Sequence, residues 1–426
     1  MSVLSQHPFT RHKLHCYIDG QFVPSDSYFD NINPVNGKVI SQVAEAGNTQ
    51  IDIAVESAQK ALKGEWAKLT VNQRCDLLHK VADRMVERQQ EFIDAEIADT
   101  GKSLQQVQTI DIPRGAANFR AFADMARSHT GETFITETLT GEKALNYSVN
   151  KPLGVVAVIS PWNLPLLLMT WKVGPALACG NTVVVKPSQV TPTTTSLLGE
   201  VMSKVGVPAG AYNVVQGKGS ITGNLLTAHQ DIDAITFTGE TKTGEMIMNA
   251  CSKGVRDVSL ELGGKNPNII FADCDFEKMF KTTLRSSFAN QGQICLCGSR
   301  LYIERPIYEK FKARFVEATA QLKVGDPLQA DTKMGAVVSK VHYEKILSYI
   351  DIAKSEGGTI LCGGHAVKPE GKENGYYIAP TIIEGLDPNC RTNQEEIFGP
   401  VVTIMPFDTE AEALTLANGS PYGLSA

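Results

Sequence analysis

Four short runs in the middle of this chain are rich in β-branched residues and apolar on both faces. They are Val155-Val156-Ala157-Val158-Ile159, Thr182-Val183-Val184-Val185-Lys186, Tyr212-Asn213-Val214-Val215 and Ala234-Ile235-Thr236-Phe237. Helical stretches fit between them, among them residues 193–205 and 223–228. A strand apolar on both faces needs cover on both faces, and strands joined through helices run parallel. The pattern predicts a doubly wound α/β sheet whose ligands sit at the carboxyl ends of its strands.

The flanking segments extend this plan. At 426 residues the chain is too long for one small core and predicts two or three domains. Tyr17-Ile18-Asp19-Gly20-Gln21-Phe22-Val23 reads as a short hairpin around an Asp-Gly turn. Residues 50–126 are helical in period, with Ile51, Ile53, Ala54 and Ala58 close to one face. Asp111-Ile112-Pro113-Arg114 interrupts that region, because proline disfavours helix in the residue before it; a new helix from Pro113 carries Arg114 in its first turn. Between residues 128 and 152, Thr136, Thr138 and Thr140, then Leu145, Tyr147 and Val149, alternate with their neighbours, which predicts an excursion of two or three strands. A second α/β block follows from Leu260 to about Met405, with strands at 268–271, 300–303 and 401–404 and helices at 307–322 and 340–356.

Composition excludes several classes of function. The formal charge of −6 is mild and the basic residues are scattered, so neither nucleic acid nor an anionic membrane is an expected partner. Nine irregularly spaced cysteines form no disulfide framework, which favours a reducing compartment. The histidines are dispersed and no metal site is expected. Met1-Ser2-Val3-Leu4-Ser5-Gln6-His7-Pro8 has no apolar core, so no signal peptide is read there. The longest apolar stretch, near Leu164 to Met169, contains Pro165, soon meets Lys172 and is too short to span a membrane. The expected location is cytoplasmic.

The chemistry concentrates in Phe288-Ala289-Asn290-Gln291-Gly292-Gln293-Ile294-Cys295-Leu296-Cys297, an amide-rich segment with two thiols and no histidine beside them. Leu260-Glu261-Leu262-Gly263-Gly264-Lys265 offers a carboxylate just before a Gly-Gly turn. A thiol nucleophile and a carboxylate base are the parts needed to form and then hydrolyse a thioester. Ser160-Pro161-Trp162-Asn163-Leu164-Pro165 follows a strand and holds an asparagine between two prolines, either an oxyanion donor or a structural turn residue. Phe237-Thr238-Gly239-Glu240-Thr241-Lys242-Thr243-Gly244 leads from a strand into a helix expected near Thr243, a place for a pyrophosphate. Lys186-Pro187-Ser188 ends another strand; its lysine is either a ribose contact or simply solvated. Gly217-Lys218-Gly219-Ser220-Ile221-Thr222-Gly223 is one residue longer than the usual dinucleotide fingerprint and also reads as an ordinary turn. Glu395-Glu396-Ile397-Phe398-Gly399-Pro400 sets two carboxylates before a turn, and Cys297 is either a second cleft thiol or a core filler.

Taken together and in this order, these motifs resemble the NAD(P)-dependent aldehyde dehydrogenase family over nearly the whole chain. The resemblance implies an α/β fold of two doubly wound domains. An atypical Rossmann cofactor domain spans 1–127 and 153–259, oligomerisation strands span 128–152, and a catalytic domain spans 260–426. It implies Cys295 as nucleophile, Asn163 with the Cys295 backbone N–H as oxyanion donors, and Glu261 as the base that releases the acid. Members that pass the acyl group to coenzyme A lack this glutamate, so Glu261 favours hydrolysis. Cofactor contacts are implied for Ser160, Trp162, Lys186, Ser188, Gln189, Gly219, Gly239, Glu240, Gly244, Leu262, Glu396 and Phe398. NAD is the expected cofactor; Gln189 stands where NAD-preferring members often carry a glutamate that repels a 2′-phosphate, so NADP use is also allowed.

Asp111-Ile112-Pro113-Arg114, Asn118-Phe119-Arg120 and Ile294-Cys295-Leu296-Cys297 are similar to the branch acting on 2-hydroxymuconic and 2-aminomuconic semialdehydes. In that branch an arginine at the Arg114 position binds the substrate carboxylate, a task suited to its bidentate donors. Alternatives are Arg114 as a plain surface residue, a betaine-type or aliphatic aldehyde as substrate, or a catalytically silent nucleotide-binding protein. The family is a homodimer or homotetramer. Its chains continue past the equivalent of Ala426 through a Pro-Phe-Gly-Gly segment and an assembly strand, without which the strands near 143–149 are expected to lack a partner.

Overall fold

The computed structural model describes residues 13–426; the N-terminal reading at Met1 to Pro8 lies outside them. The main sheet has seven strands: β1 (Cys16–Ile18), β2 (Gln21–Val23), β3 (Val155–Ile159), β4 (Thr182–Lys186), β5 (Tyr212–Val214), β6 (Ala234–Thr238) and β7 (Asp257–Glu261). Their spatial order is β7-β6-β3-β4-β5-β1-β2. Strands β3 to β7 are parallel, and the β1–β2 hairpin adds antiparallel at one edge. The hairpin turns through Asp19 (φ 51°) and Gly20 (φ 76°), the two left-handed residues that match the strand twist.

Strand alternation sorts the core into two layers. Val155, Ala157 and Val184 pack with Ile51, Ala54, Val55 and Ala58 of α1 (Asn48–Lys63) on one face. Val156, Val158, Val183 and Val185 pack on the other, against α2 (Val71–Glu87), α3 (Ile112–Ser128), α4 (Pro165–Ala178) and α5 (Thr193–Val205). Each fully buried aliphatic side chain contributes about 1.5–3 kcal/mol, which is why these continuous apolar strands require cover on both sides.

Chain order fixes the ligand position. From β3 the chain moves to β4 and β5 on one side, then returns to β6 and β7 on the other. The connections leaving β3 and β6 diverge and open a crevice at their carboxyl ends. After β6 the chain enters α6 (Thr241–Ser252), which starts two residues before the expected Thr243. Leu260 and Glu261 pair with Phe237 and Thr238, so the first sheet runs two residues past the division expected after residue 259.

The expected break at Asp111-Ile112-Pro113 is not a break. Val107–Asp111 forms a π turn that runs directly into α3, and Asp111 and Ile112 keep helical dihedrals. Pro113 sits in the first turn of α3, directly after the wide π turn, where its ring is tolerated. A fully buried ion pair of 2.6 Å between Lys102 and Asp111 anchors this turn.

Residues Thr133–Glu137 and Lys143–Tyr147 pair as an isolated antiparallel hairpin, the expected excursion. Phe134, Ile135, Leu145 and Tyr147 on it are all more than half exposed.

The second sheet comprises β8 (Asn266–Ile270), β9 (Gly298–Glu304), β10 (Thr359–Cys362), β11 (Thr381–Glu384) and β12 (Val401–Phe407), in the order β8-β9-β12-β11-β10. Only β10 is antiparallel. It is flanked by α7 (Phe276–Phe288), α8 (Arg305–Ala320) and α9 (Lys340–Ser355). Strands β10 and β11, four residues each, and α7 escape the sequence reading, although Asp275 caps α7 by accepting from the Lys278 N–H. Among the described residues no helix is long and apolar enough to cross a membrane, and no His, Cys, Asp and Glu group could hold a metal ion.

Candidate active site

The crevice at the carboxyl ends of β3 and β6 meets the amino ends of β8, β9 and β12, and a cleft of about 330 Å³ lies between them. Pro161, Trp162 and Asn163 come from the segment after β3, Gly239 and Glu240 from that after β6. Leu262 and Gly263 lie between β7 and β8, Cys295 before β9, Glu396 and Phe398 before β12, and His342 and Lys345 on α9. The expected nucleophile and the amide expected to serve it are thus carried by different sheets.

Cys295 is held by a network of amides. Asn266 Nδ2 donates to the carbonyls of both Cys295 (2.6 Å) and Cys297 (2.9 Å), and the Cys297 N–H closes a turn on Ile294. Gln291 Nε2 donates to the Ala336 carbonyl, and Gln293 Oε1 accepts from the Val338 N–H. Gly292, at φ 69°, lies so close to the Gly399 carbonyl that a Cβ there would sit 2.1 Å from its oxygen. No other residue fits both that dihedral and that approach. Asn163 Nδ2 donates one hydrogen to the Gln293 carbonyl at 2.9 Å, leaving its other hydrogen for the cleft.

Burial pushes the Cys295 thiol up, and the carboxylates of Glu396 and Glu261 push it further. Glu261 is thus within electrostatic reach of the thiol. Glu261 itself does not line the Cys295 cleft: it is exposed and lines a neighbouring cleft of about 440 Å³ with Trp171 and Lys172. Lys172 donates to Thr236 Oγ1 at 2.9 Å; burial lowers its ammonium to about 8, with Glu261 acting in the opposite direction. Glu396 is raised by burial, and its Oε1 accepts the Gly264 N–H at 2.9 Å.

Groups suited to a dinucleotide stand at the cleft and along the strand ends beside it. Lys186, at the end of β4, is buried rather than solvated, and burial lowers its ammonium to about 8. Its one hydrogen bond among the described residues is to the Pro187 carbonyl, which leaves donors for ribose hydroxyls. The first turn of α6 opens beside Gly239 with no side-chain cap, so its N–H groups are available to an anion.

A sequence profile of the aldehyde dehydrogenase family matches residues 22–426. The chain belongs to the aldehyde dehydrogenase family. It is 53% identical to a 2-hydroxymuconic semialdehyde dehydrogenase of Pseudomonas sp. (strain CF600), over 96% of this chain and 85% of that one. It is 50% identical to a 2-aminomuconic 6-semialdehyde dehydrogenase of Pseudomonas sp., over 96% and 84%. An aldehyde dehydrogenase of Bacillus cereus, solved as an NAD+ complex, superposes with a TM-score of 0.94 at 36% identity, over 99% of this chain and 85% of that one.

Within this aldehyde dehydrogenase the expected site residues fall into groups. Cys295, Asn163, Trp162, Gly239, Glu240, Leu262, Glu396 and Phe398 share the cleft. Ser160 is buried, its N–H bonded to the Lys186 carbonyl. Gln189 Oε1 accepts the Gly219 N–H, and the Ser188 carbonyl accepts from Thr191. Gly244 does not line the cleft; it lies inside α6, where a Cβ would come within 2.5 Å of the Leu262 side chain. Arg114 is exposed on α3 and forms no ion pair among the described residues. Cys297 is 8% exposed with its thiol pushed up to about 12 by burial, which makes it a core filler.

Sequence reasoning missed His342, Lys345, Lys172 and Asn266. The cleft contains a histidine that lies far in sequence from the thiols. His342 Nε2 bonds the Phe398 carbonyl at 2.7 Å, and its ring packs tilted at 59° against Trp162 with centroids 4.8 Å apart. Burial lowers it to about 4, so at neutral pH it is an uncharged wall of the cleft. Only long-range packing brings α9 here, and no local motif marks it.

Proposed function

We propose that this aldehyde dehydrogenase oxidises a carboxylate-bearing semialdehyde of the 2-hydroxymuconic or 2-aminomuconic type to the dicarboxylic acid, with NAD and water. What carries the reading is the convergence of the Cys295 thiol, the Asn163 amide and the Glu396 carboxylate in one cleft, with Glu261 in electrostatic reach. The Cys295 sulfur adds to the aldehyde carbon as its proton passes to water. The free Asn163 N–H and the Cys295 backbone N–H hold the resulting oxyanion. When bound, NAD supplies the acceptor for the hydride leaving that carbon. Lys186 holds its adenosine ribose, Gly239 and the α6 amino end its pyrophosphate, and Glu396 its nicotinamide ribose. Glu261 then takes a proton from water as the water oxygen attacks the thioester; the C–S bond breaks, and the acid leaves with the thiol restored.

Arg114 pairs with the far carboxylate of the substrate, which disfavours a cationic aldehyde. Gln189 carries no charge against a 2′-phosphate, so NADP serves as a weaker cofactor. The exposed hairpin with Phe134, Ile135, Leu145 and Tyr147 supports assembly into a homodimer or homotetramer, and the expected site of action is the cytoplasm. Incubation with NAD and 2-hydroxymuconic semialdehyde, followed by NADH absorbance, is expected to give multiple turnovers in wild type and none in Cys295→Ala. Folded protein that yields no NADH with this or any simple aldehyde refutes the proposal.

A further inference from the structure

We propose that Asn290 is a positioning residue that locks the Asn163 amide in register with the Cys295 thiol; the inference rests on the reading of Asn163 as oxyanion donor. Asn163 follows β3 of the cofactor sheet, whereas Cys295 precedes β9 of the catalytic sheet. Their mutual register must hold across two independently built sheets, and a catalytic geometry tolerates only a fraction of an ångström of error.

Asn290 is the clamp between them. It is 3% exposed, and its Nδ2 donates one hydrogen to the Asn163 backbone carbonyl and the other to the Gln293 carbonyl, both at 3.0 Å. That Gln293 oxygen is also the acceptor for Asn163 Nδ2 at 2.9 Å. A single amide therefore ties down the backbone of Asn163 directly and its side chain through a shared acceptor. Asn290 is itself fixed, its N–H by Gln106 Oε1 at 3.1 Å and its carbonyl by the Gln293 N–H at 2.9 Å and Nε2 at 3.3 Å.

Two features argue that the amide, rather than a filler, is required at this position. Asn290 has φ 52° and is followed by Gln291 at φ 56°, a left-handed stretch that glycine adopts with less strain. Its Oδ1 is buried without a partner, an arrangement kept although an apolar residue would avoid it. The amide orientation follows from the acceptors, because the flipped form would aim an oxygen at two carbonyl oxygens.

Asn290→Asp retains size and left-handed tolerance but replaces both donors with acceptors. Asn290→Gly relaxes the backbone and deletes the amide, and stands in if the aspartate variant does not fold. Both are expected to lower kcat by about 100-fold, with the NAD KM and the iodoacetamide alkylation rate of Cys295 within about two-fold of wild type. On the Asn163→Ala background, Asn290→Gly is expected to change kcat by less than about three-fold, because the group it positions is already absent. Wild-type kcat in Asn290→Gly overturns the proposal, as does a full, additive loss on the Asn163→Ala background or a parallel loss of Cys295 alkylation. If Asn163→Ala alone keeps wild-type kcat, the oxyanion reading fails and takes this proposal with it. An impaired Asn163→Ala beside an active Asn290→Gly removes only the positioning role.

Discussion

Replacing Gly263 with alanine separates cofactor binding from folding. The φ of Gly263 lies outside the left-handed region, so the backbone accepts alanine without strain. The new Cβ, however, would lie 2.4 Å from Glu396 Oε2 and 3.0 Å from Cδ. Carbon and oxygen rest at about 3.3–3.6 Å, so the carboxylate must retreat by roughly 1 Å. That stretches the 2.9 Å bond from the Gly264 N–H beyond hydrogen-bond range. A hydrogen bond to a charged group contributes about 1.5–3 kcal/mol, but the retreating carboxylate, raised by burial in its native position, regains water. Net stability should fall by only about 1 kcal/mol. NAD instead loses the carboxylate proposed to hold its nicotinamide ribose, and about 1.5–3 kcal/mol of binding corresponds to roughly 10- to 100-fold in Kd. Calorimetric titration with NAD measures this, with thermal unfolding as the control. The same retreat moves a negative charge away from Cys295, so its alkylation profile should shift to lower pH. An NAD Kd within two-fold of wild type, in a folded G263A protein, refutes the reasoning, as does an additive loss in G263A/E396A.

Glu261→Gln should leave the first turnover of NADH intact and slow steady-state release by about 10²- to 10⁴-fold, read as a burst in stopped-flow absorbance; loss of the burst itself would move Glu261 into the first half-reaction. The depressed His342 makes stability acid-sensitive. Its folded value of about 4 lies below the unfolded value of about 6.5, so the unfolded chain binds the extra proton between them. Stability is complete above pH 6.5 and falls as pH drops toward 4, by up to about 3 kcal/mol, and His342→Gln should flatten that limb in thermal melts across pH. Arg114→Ala should raise KM for the semialdehyde by about 10- to 100-fold while leaving KM for an uncharged aldehyde unchanged; equal effects on both would exclude carboxylate pairing.

The legibility of this chain follows the range of the interactions involved. Strand runs such as residues 182–186 and the helix at residues 193–205 were readable because their patterning is local. Four-residue strands such as Thr381–Glu384 carry too few residues for alternation to register. The Asp19-Gly20 hairpin was legible from turn chemistry, whereas the π turn at Val107–Asp111 was read as a break. A proline signals only its missing N–H, and whether the helix ends or widens depends on packing such as the Lys102–Asp111 pair.

By itself the sequence determined the doubly covered parallel sheet, the thiol, the carboxylate and the likeness to one enzyme family, because periodicity and short motifs are carried by residues adjacent in the chain. Tertiary structure alone decided that Cys295 and Asn163 share one cleft from two different sheets, that Cys297 is core, and that Gly244 lies against Leu262. It also decided that a neutral His342 walls the cleft. Each of these depends on which distant side chains share a volume and exclude water from it, and no spacing along the chain records that.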